Sequence, residues 1–238
     1  MVWVGADKLI SVVLCTMREQ MLELACKQFI EQQVGKKELI IVLNNNSIDQ
    51  DNWKKKLNGH ANIFVYKQEE SVTLGECLNF GAEKARYDVI AKWDDDDYYS
   101  PHYLAKSLQE MRSVNADVIG KAAFFVYFKQ EELLTVYRPQ LNNRFIHNPK
   151  FALAGGTLVF KKNVWKRSPF QPINSGEDAQ FQHDCRKLGF KIYSGSHKDY
   201  VLIRYPEKHN HSWKIENQLF RKQCKRIAVT DRFEEFVI

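Results

Sequence analysis

Short apolar runs alternate with amphipathic segments over the first hundred residues of the chain. Four runs are predominantly apolar, and each predicts a buried strand, at 9–14, 39–43, 63–66 and 89–93. The segments between them carry apolar side chains at helical spacing and predict helices at 18–33, 53–57 and 74–85. This alternation predicts an α/β fold with a mostly parallel sheet, right-handed crossovers and flanking helices.

Beyond residue 100 the pattern changes, and helices mix with strands that are partly antiparallel. Helices are predicted at 101–112, 163–166 and 177–188, the last of them ended by Gly189. Strands are predicted at 118–128, 133–137, 191–193 and 200–204. A basic helix is predicted from Ser212 through Arg226, so the predicted fold closes with a C-terminal helix.

Four consecutive aspartates at 94–97 directly follow the fourth apolar run. Ser100 and Pro101 come next and predict a helix start, with the serine as N-cap and the proline at the first helical position. The aspartates therefore stand at the carboxyl end of a central strand, where open α/β sheets bind ligands. In an extended chain Asp94 and Asp96 share a side. A hard divalent cation would neutralise such a cluster, and a solvated acidic loop is the alternative interpretation.

The first half contains none of the common phosphate-binding loops. No Gly-x-Gly-x-x-Gly follows the first predicted strand, and the chain has no P-loop sequence. If this edge of the sheet binds phosphates, they must be held in another way, and a metal ion at the aspartate cluster is one.

Composition narrows the class of protein. The 238 residues are 44% hydrophobic and 27% charged, which is typical of a globular chain. The net charge is +6 and the basic residues are spread out, so we do not expect a nucleic-acid partner. Five cysteines without a Cys-x-x-Cys pair indicate neither a disulfide framework nor a zinc site, and a reduced cytoplasmic compartment is the simplest expectation.

Five segments, taken in chain order, resemble the motifs of family 2 glycosyltransferases of the GT-A fold. They are 10–16 (Ile-Ser-Val-Val-Leu-Cys-Thr), 42–49 (Val-Leu-Asn-Asn-Asn-Ser-Ile-Asp), 74–81 (Leu-Gly-Glu-Cys-Leu-Asn-Phe-Gly), 94–101 (Asp-Asp-Asp-Asp-Tyr-Tyr-Ser-Pro) and 176–178 (Gly-Glu-Asp). The resemblance implies a Rossmann-like mixed sheet in a glycosyltransferase domain over 1–213. Its nucleotide-binding half is expected at about 8–100 and its acceptor half at about 101–213, with a helical extension over 214–238.

The resemblance also implies the ligands of each motif. The donor is a nucleotide-diphosphate sugar, with a UDP-sugar favoured, and Mn²⁺ or Mg²⁺ bridges its phosphates. Asp96 and His211 are the implied metal ligands, although a loop histidine is as often a plain surface residue. Residues implied to contact the donor nucleotide are Cys15, Thr16, Asn45, Asp94 and Asp95, and those beside the donor sugar are Gly155 and Gly156. Asn45 replaces the usual base-reading aspartate, which leaves the nucleobase open.

The late Glu-Asp pair is implied to serve the acceptor. Asp178 would act as the general base for an acceptor hydroxyl in a single, inverting displacement, and Glu177 would orient the acceptor or support the loop. The alternative is that both only complement a helix dipole, worth about 0.3–1 kcal/mol. Four aromatic side chains are equally compatible with stacking on sugars and with the core: Trp93, Tyr98, Tyr99 and Trp213.

The sequence thus predicts a metal-dependent inverting glycosyltransferase with a saccharide or glycoconjugate acceptor, in surface polysaccharide or glycoconjugate synthesis. Two alternatives stay open, a non-catalytic nucleotide-sugar-binding scaffold and, less favoured, a nucleotidyltransferase. No apolar run is long enough to cross a bilayer. We therefore expect a cytoplasmic protein, with contact to a membrane surface or partner subunit through the basic C-terminal helix as a minority interpretation.

Overall fold

A computed structural model describes residues 9–206 and 215–238. Its strands, numbered along the chain, are β1 Leu9–Thr16, β2 Lys36–Leu43, β3 Ile63–Lys67, β4 Val89–Trp93, β5 Tyr98–Tyr99, β6 Val118–Gly120, β7 Phe124–Phe128, β8 Leu133–Tyr137, β9 Arg144–Phe145, β10 Val159–Lys161, β11 Ile192–Ser194, β12 Tyr200–Arg204 and β13 Cys224–Val229. The helices are α1 Glu19–Glu31, α2 Gln50–Lys56, α3 Leu74–Lys84, α4 Tyr103–Ser113, α5 Lys162–Arg167, α6 Glu177–Lys187, α7 Asn217–Arg221 and α8 Glu234–Val237.

The main sheet has eight strands in the order β3-β2-β1-β4-β10-β6-β11-β9. The first four are mutually parallel, as their predominantly apolar runs predicted. β10 runs antiparallel to both of its neighbours, β4 and β6, while β11 is parallel to β6. The carboxyl ends of β1, β2, β4, β6 and β11 therefore point to one edge of the sheet, which confirms the predicted mixed α/β fold.

Helices cover both faces of the main sheet. Adjacent residues of a strand point to opposite faces, so Leu14 joins a core cluster beneath α1 and α4 while Val13 joins another beneath α3 and α6. Close packing of α3 depends on Gly81, where an added Cβ would collide with the Val13 side chain. On β4, Trp93 belongs to the first cluster and Ile90 to the second.

A smaller sheet, β13-β8-β7-β12-β5, lies beside the main one. The single strand predicted at 118–128 is split between the two sheets, because β6 belongs to the main sheet and β7 to the smaller. The break falls at Lys121, whose N–H donates to the Thr157 hydroxyl at 2.9 Å and whose carbonyl accepts from Ala154 N–H at 2.8 Å. These bonds to a loop replace the strand ladder at that residue.

The helix start predicted at Ser100 and Pro101 is wrong in detail. Helix α4 begins at Tyr103, and Ser100 lies in the turn before it, where its Oγ accepts from His102 N–H at 3.3 Å and donates to Asp199 Oδ1 at 2.8 Å. Residues 98–99 form β5, which pairs with β12. Strand pairing just before Ser100 and the bond to Asp199 therefore keep Ser100 and Pro101 in a turn, and the helix begins two residues later than the local pattern predicted.

The predicted C-terminal helix is shorter than expected, and the prediction of a helical extension over 214–238 needs correction. Helix α7 ends at Arg221, and residues 224–229 form β13, which pairs antiparallel with β8. Without β13, the backbone groups along one side of β8 would form an open sheet edge. Phe220 of α7 fixes this arrangement by packing its ring against Tyr137 and Phe128.

Within residues 9–206 and 215–238, none of the helices has the length and apolar content required to cross a membrane.

Lys121 gives the fold a predicted dependence on pH. Its side chain is buried, and burial lowers its pKa from 10.5 to about 8, against the opposing charges of Glu110 and Asp199. The unfolded chain binds this proton more tightly than the folded chain. The destabilising contribution of the lysine therefore has its full size below about pH 8, where both states are protonated. The destabilisation disappears as the pH rises through 10.5.

We therefore compare the free energy of unfolding of the wild type with that of Lys121→Met. The difference, wild type minus variant, should increase by up to about 3 kcal/mol as the pH rises from about 7 to 10.5. Urea unfolding of both proteins across this range measures the difference. Parallel pH curves for the two proteins would contradict the buried, charged state of Lys121.

Candidate active site at the carboxyl edge of the main sheet

The ends of β1, β2 and β4 bring the predicted nucleotide-binding residues to one edge. Thr16 pairs with Leu43 at the end of β2, and Leu14 pairs with Trp93 at the end of β4. The loops that leave these strands therefore start side by side, and their first residues meet above the sheet. Asn44 N–H, just beyond β2, donates to Thr16 O at 2.9 Å and links two of these loops.

Arg18, at the start of α1, binds two carboxylates of the aspartate cluster. Its guanidinium donates to Asp95 and, through Nη1, to Asp96 Oδ2 at 2.8 Å. Asp95 also accepts from the Thr16 hydroxyl, and its side chain is only 2% exposed. Burial raises the pKa of Asp95, although the charge of Arg18 opposes that rise. Asp95 therefore connects the loop after β1 to the acidic loop. Arg18, which forms part of this connection, was not among the site residues that the motifs predicted.

Asp97 points away from that edge and into the protein. Its Oδ2 accepts from the Tyr200 hydroxyl at 2.5 Å, and its Oδ1 accepts from Ile203 N–H at 3.2 Å. Burial, then the charges of Asp96 and Asp94, raise its pKa well above the usual aspartate range. This carboxyl group joins the acidic loop to β12 of the smaller sheet.

A buried lysine lies between the acidic loop and the first turn of α6. Lys92 Nζ donates to Asp94 Oδ1 at 2.6 Å and lies 4.0 Å from Glu177 Oε1. Burial lowers the pKa of Lys92, but Asp94, Glu177 and Asp178 outweigh it and raise the pKa above its ordinary value. Burial also raises the pKa of Glu177, with Lys92 opposing the rise. Three carboxylates from two distant segments thus surround one ammonium group.

The Gly155–Gly156 loop separates the two halves of this acidic site. An added Cβ on Gly155 would collide with Asp178 Oδ2, and one on Gly156 would lie 2.8 Å from Asp94 Oδ2. Gly156 O accepts from the Tyr99 hydroxyl at 2.7 Å, which fixes the loop. Asp94 and Asp178 therefore flank the same two glycines, and side chains at these positions would push the carboxylates aside.

Asn45 bonds to the loop after β1 through one end of its amide and to its own loop through the other. Its Nδ2 donates to Met17 O at 2.9 Å, and its Oδ1 accepts from Ser47 N–H at 2.9 Å and from the Ser47 hydroxyl. Cys15, at the end of β1, is half-buried, and burial is the main cause of the raised pKa of its thiol. Both residues lie at the same edge as the aspartates.

Two of the candidate sugar-stacking aromatics belong to the core. Trp93 and Tyr99 stack on each other with ring centroids 4.0 Å apart, and both are buried. Tyr98 contacts Phe233 and is partly exposed. Trp213, the fourth aromatic candidate, and His211, the candidate metal ligand, lie outside the described residues.

The site has the oxygen donors that a hard divalent cation prefers, but in this arrangement they are bound to cationic side chains. Asp96 is held by Arg18 and Asp94 by Lys92. Over the described ranges, no group of three or more histidine, cysteine, aspartate or glutamate side chains is arranged so that it could hold a metal ion. The Asp94 side chain is 40% exposed, so it is accessible from solvent. Asp94 and Asp96 thus carry the oxygen donors that Mg²⁺ or Mn²⁺ takes, and a cation at Asp96 would have to compete with Arg18.

Sequence comparison matches residues 11–168, more than half of the chain, to the family described as Glycosyl transferase family 2. A curated relative, the amylovoran biosynthesis glycosyltransferase AmsE of Erwinia amylovora, is 28% identical over 85 residues. That alignment covers 36% of this chain and 32% of the relative.

Solved structures with a similar fold include two sugar-nucleotide complexes. Residues 1–349 of S. aureus TarS with UDP-GlcNAc give a TM-score of 0.65 at 15% identity, over 87% of this chain and 61% of that one. The mannosyltransferase PcManGT of Pyrobaculum calidifontis with GDP-Man and Mn²⁺ gives a TM-score of 0.64 at 17% identity. That alignment covers 93% of this chain and 65% of the mannosyltransferase. This chain therefore spans less than two thirds of each of these proteins.

Proposed function

The chain belongs to glycosyl transferase family 2, and from that premise we propose that it transfers a sugar from a nucleotide-diphosphate donor to a hydroxyl acceptor with inversion. One observation carries the proposal: Asp94 of the acidic loop and Asp178 of α6 flank the same Gly155–Gly156 loop. A donor bound at the edge of the sheet would place its anomeric carbon near this loop, between the two carboxylates.

The donor nucleotide would lie over the loops that leave β1 and β2. Cys15, Thr16 and Asn45 stand there, and Asp94 and Asp95 border the same edge. We favour a UDP-sugar. The structural neighbours, which share only the fold, are described with UDP-GlcNAc and with GDP-Man. Because the Asn45 amide is already hydrogen-bonded at both ends, base recognition would depend on backbone groups as much as on its side chain.

Asp96, with Asp94 beside it and His211 as a further candidate, would hold Mn²⁺ or Mg²⁺. When bound, such a cation would neutralise the diphosphate leaving group as its negative charge grows. Lys92 and Arg18 already place fixed positive charge around the same carboxylates.

Asp178 would act as the general base. As the acceptor oxygen forms its bond to the anomeric carbon, the bond from that carbon to the diphosphate oxygen breaks and its electron pair leaves with the nucleotide. The acceptor proton passes to the Asp178 carboxylate, and attack opposite the leaving group inverts the anomeric centre. Glu177, buried beside Lys92, would brace the loop instead of taking the proton.

The acceptor would be a saccharide or glycoconjugate, and a role in surface polysaccharide synthesis agrees with the name of the Erwinia relative. We place the reaction in the cytoplasm, with peripheral contact to a membrane or a partner subunit through the basic C-terminal segment.

Calorimetric titration with UDP, GDP, ADP and CDP, each with and without Mn²⁺, tests the donor class. We expect at least one nucleoside diphosphate to bind, UDP most tightly, and Mn²⁺ to tighten its binding at least about tenfold, since the cation offsets the charge of phosphates beside the aspartates.

Release of UDP from UDP-GlcNAc and UDP-glucose, and of GDP from GDP-mannose, then tests turnover. Binding without release from any donor, with a saccharide acceptor panel present, would favour the scaffold alternative. Absence of binding by all four nucleotides would refute the proposed function.

A further inference from the structure

We propose that Lys92 is a positioning residue that joins the donor side of the site to its acceptor side. The proposal rests on the function proposed above and adds a residue to it. The lysine reaches Asp94, on the acidic loop, at 2.6 Å, and Glu177, in the first turn of α6, at 4.0 Å. These two carboxylates come from segments more than eighty residues apart in the chain.

The strand that carries Lys92 is rigid and central. β4 lies between β1 and β10 in the main sheet, and Lys92 N–H donates to Leu158 O at 2.8 Å. Since side chains alternate along a strand, Lys92 points to the same face as Ile90, which belongs to the core cluster beneath α6. The ammonium group thus emerges from the core directly beneath the first turn of that helix.

Charge balance explains why a cation stands there. Its side chain is only 5% exposed, and the carboxylates of Asp94, Glu177 and Asp178 all act on it. Without the ammonium group, three carboxylates would converge with Glu177 almost fully buried, and they would repel one another. Repulsion would move α6 and its Asp178 away from the glycine loop and from a sugar bound beside Asp94.

Kinetics of Lys92→Met test this role, with Lys92→Arg as the variant that keeps the charge. A matched control is Lys161→Met. Lys161 lies on β10 opposite Val89, at the other end of β4 from Lys92, and the substitution breaks its 2.8 Å pair with Asp117. Nucleoside diphosphate release from UDP-GlcNAc, UDP-glucose and GDP-mannose with Mn²⁺ gives kcat and the donor KM, and calorimetry gives the Kd for UDP and GDP.

We expect Lys92→Met to lower kcat by about tenfold to a hundredfold, while the donor KM and the nucleotide Kd change by less than about threefold. Lys92→Arg should recover part of kcat, and Lys161→Met should behave as the wild type. Wild-type kcat in Lys92→Met would overturn the proposal. A parallel loss of kcat and nucleotide binding in both Lys92 variants would also overturn it, because that result indicates a purely structural lysine.

The same data separate this proposal from the proposed function. A wild-type protein that releases nucleotide from none of the donors refutes the proposed function, and the positioning role with it. A wild type that turns over normally beside an unimpaired Lys92→Met refutes the positioning role alone.

Discussion

Replacing Asp178 with asparagine is expected to lower the rate of sugar transfer by about a hundredfold to ten-thousandfold, the usual contribution of a general base. Asparagine keeps the size of the side chain and can still accept the hydrogen bond that Ala179 N–H donates to Oδ1. It cannot take a proton from the acceptor hydroxyl. Nucleotide binding should remain within about twofold of the wild type, because the donor loops belong to β1, β2 and β4.

The measurement is initial-rate transfer from the best donor of the nucleotide panel, with calorimetry of the nucleotide as the binding check. Asp184→Asn is a matched control, since it makes the same chemical change on the same helix, where Asp184 accepts from Gln180 at 2.9 Å. If Asp178→Asn transfers sugar at nearly the wild-type rate, and the control does so too, Asp178 is not the general base.

The four parallel strands of the nucleotide half were predictable because strands buried on both faces leave a predominantly apolar run. The observed β4, Val89–Trp93, has the predicted bounds, and β1 exceeds its predicted run by two residues. The position of the aspartates followed from this, since a polar run after a buried strand must lie at the edge of the sheet.

Contacts between distant segments were not predictable from local pattern. Ser100 and Pro101 meet the requirements of a helix start, but β5, which ends at Tyr99, pairs with β12, and the Ser100 hydroxyl donates to Asp199, so both residues stay in the turn before α4. β13 was interpreted as helix because its basic residues suit a solvated helix face, whereas pairing with β8 decides its conformation. Tertiary pairing overrides intrinsic preference in both cases.

The two positively charged side chains of the site, Lys92 and Arg18, could have been noticed in the sequence, although the family motifs do not include them. Lys92 is a lysine within an otherwise apolar central strand, and a charged side chain at such a position requires partners. Arg18 lies two residues beyond the end of the first strand, at the edge where the aspartates lie. Carboxylates that converge on one edge need positive charge, and these two residues provide it from the chain itself.

Replacing Arg18 with methionine is expected to reduce the free energy of unfolding by about 2–4 kcal/mol, near the lower end for a broken buried pair. The arginine side chain is 24% exposed, but the Asp95 carboxylate that it binds is nearly inaccessible and would lose its charged partner. Urea unfolding measures the loss. Arg232→Met, which removes an arginine paired with Glu235 at the surface, is the control and should cost less than about 1 kcal/mol.

The same variant tests whether a divalent cation competes with Arg18 for the Asp96 carboxylate. If both bind this carboxylate, a saturating concentration of Mn²⁺ should raise the unfolding midpoint of Arg18→Met more than that of the wild type, because the cation no longer competes with a guanidinium. The Arg232→Met control should respond to Mn²⁺ as the wild type does. Equal shifts in all three proteins would place any bound metal away from Asp96, while a larger shift in Arg18→Met alone would show that the metal binds at the carboxylates that Arg18 holds, Asp95 and Asp96.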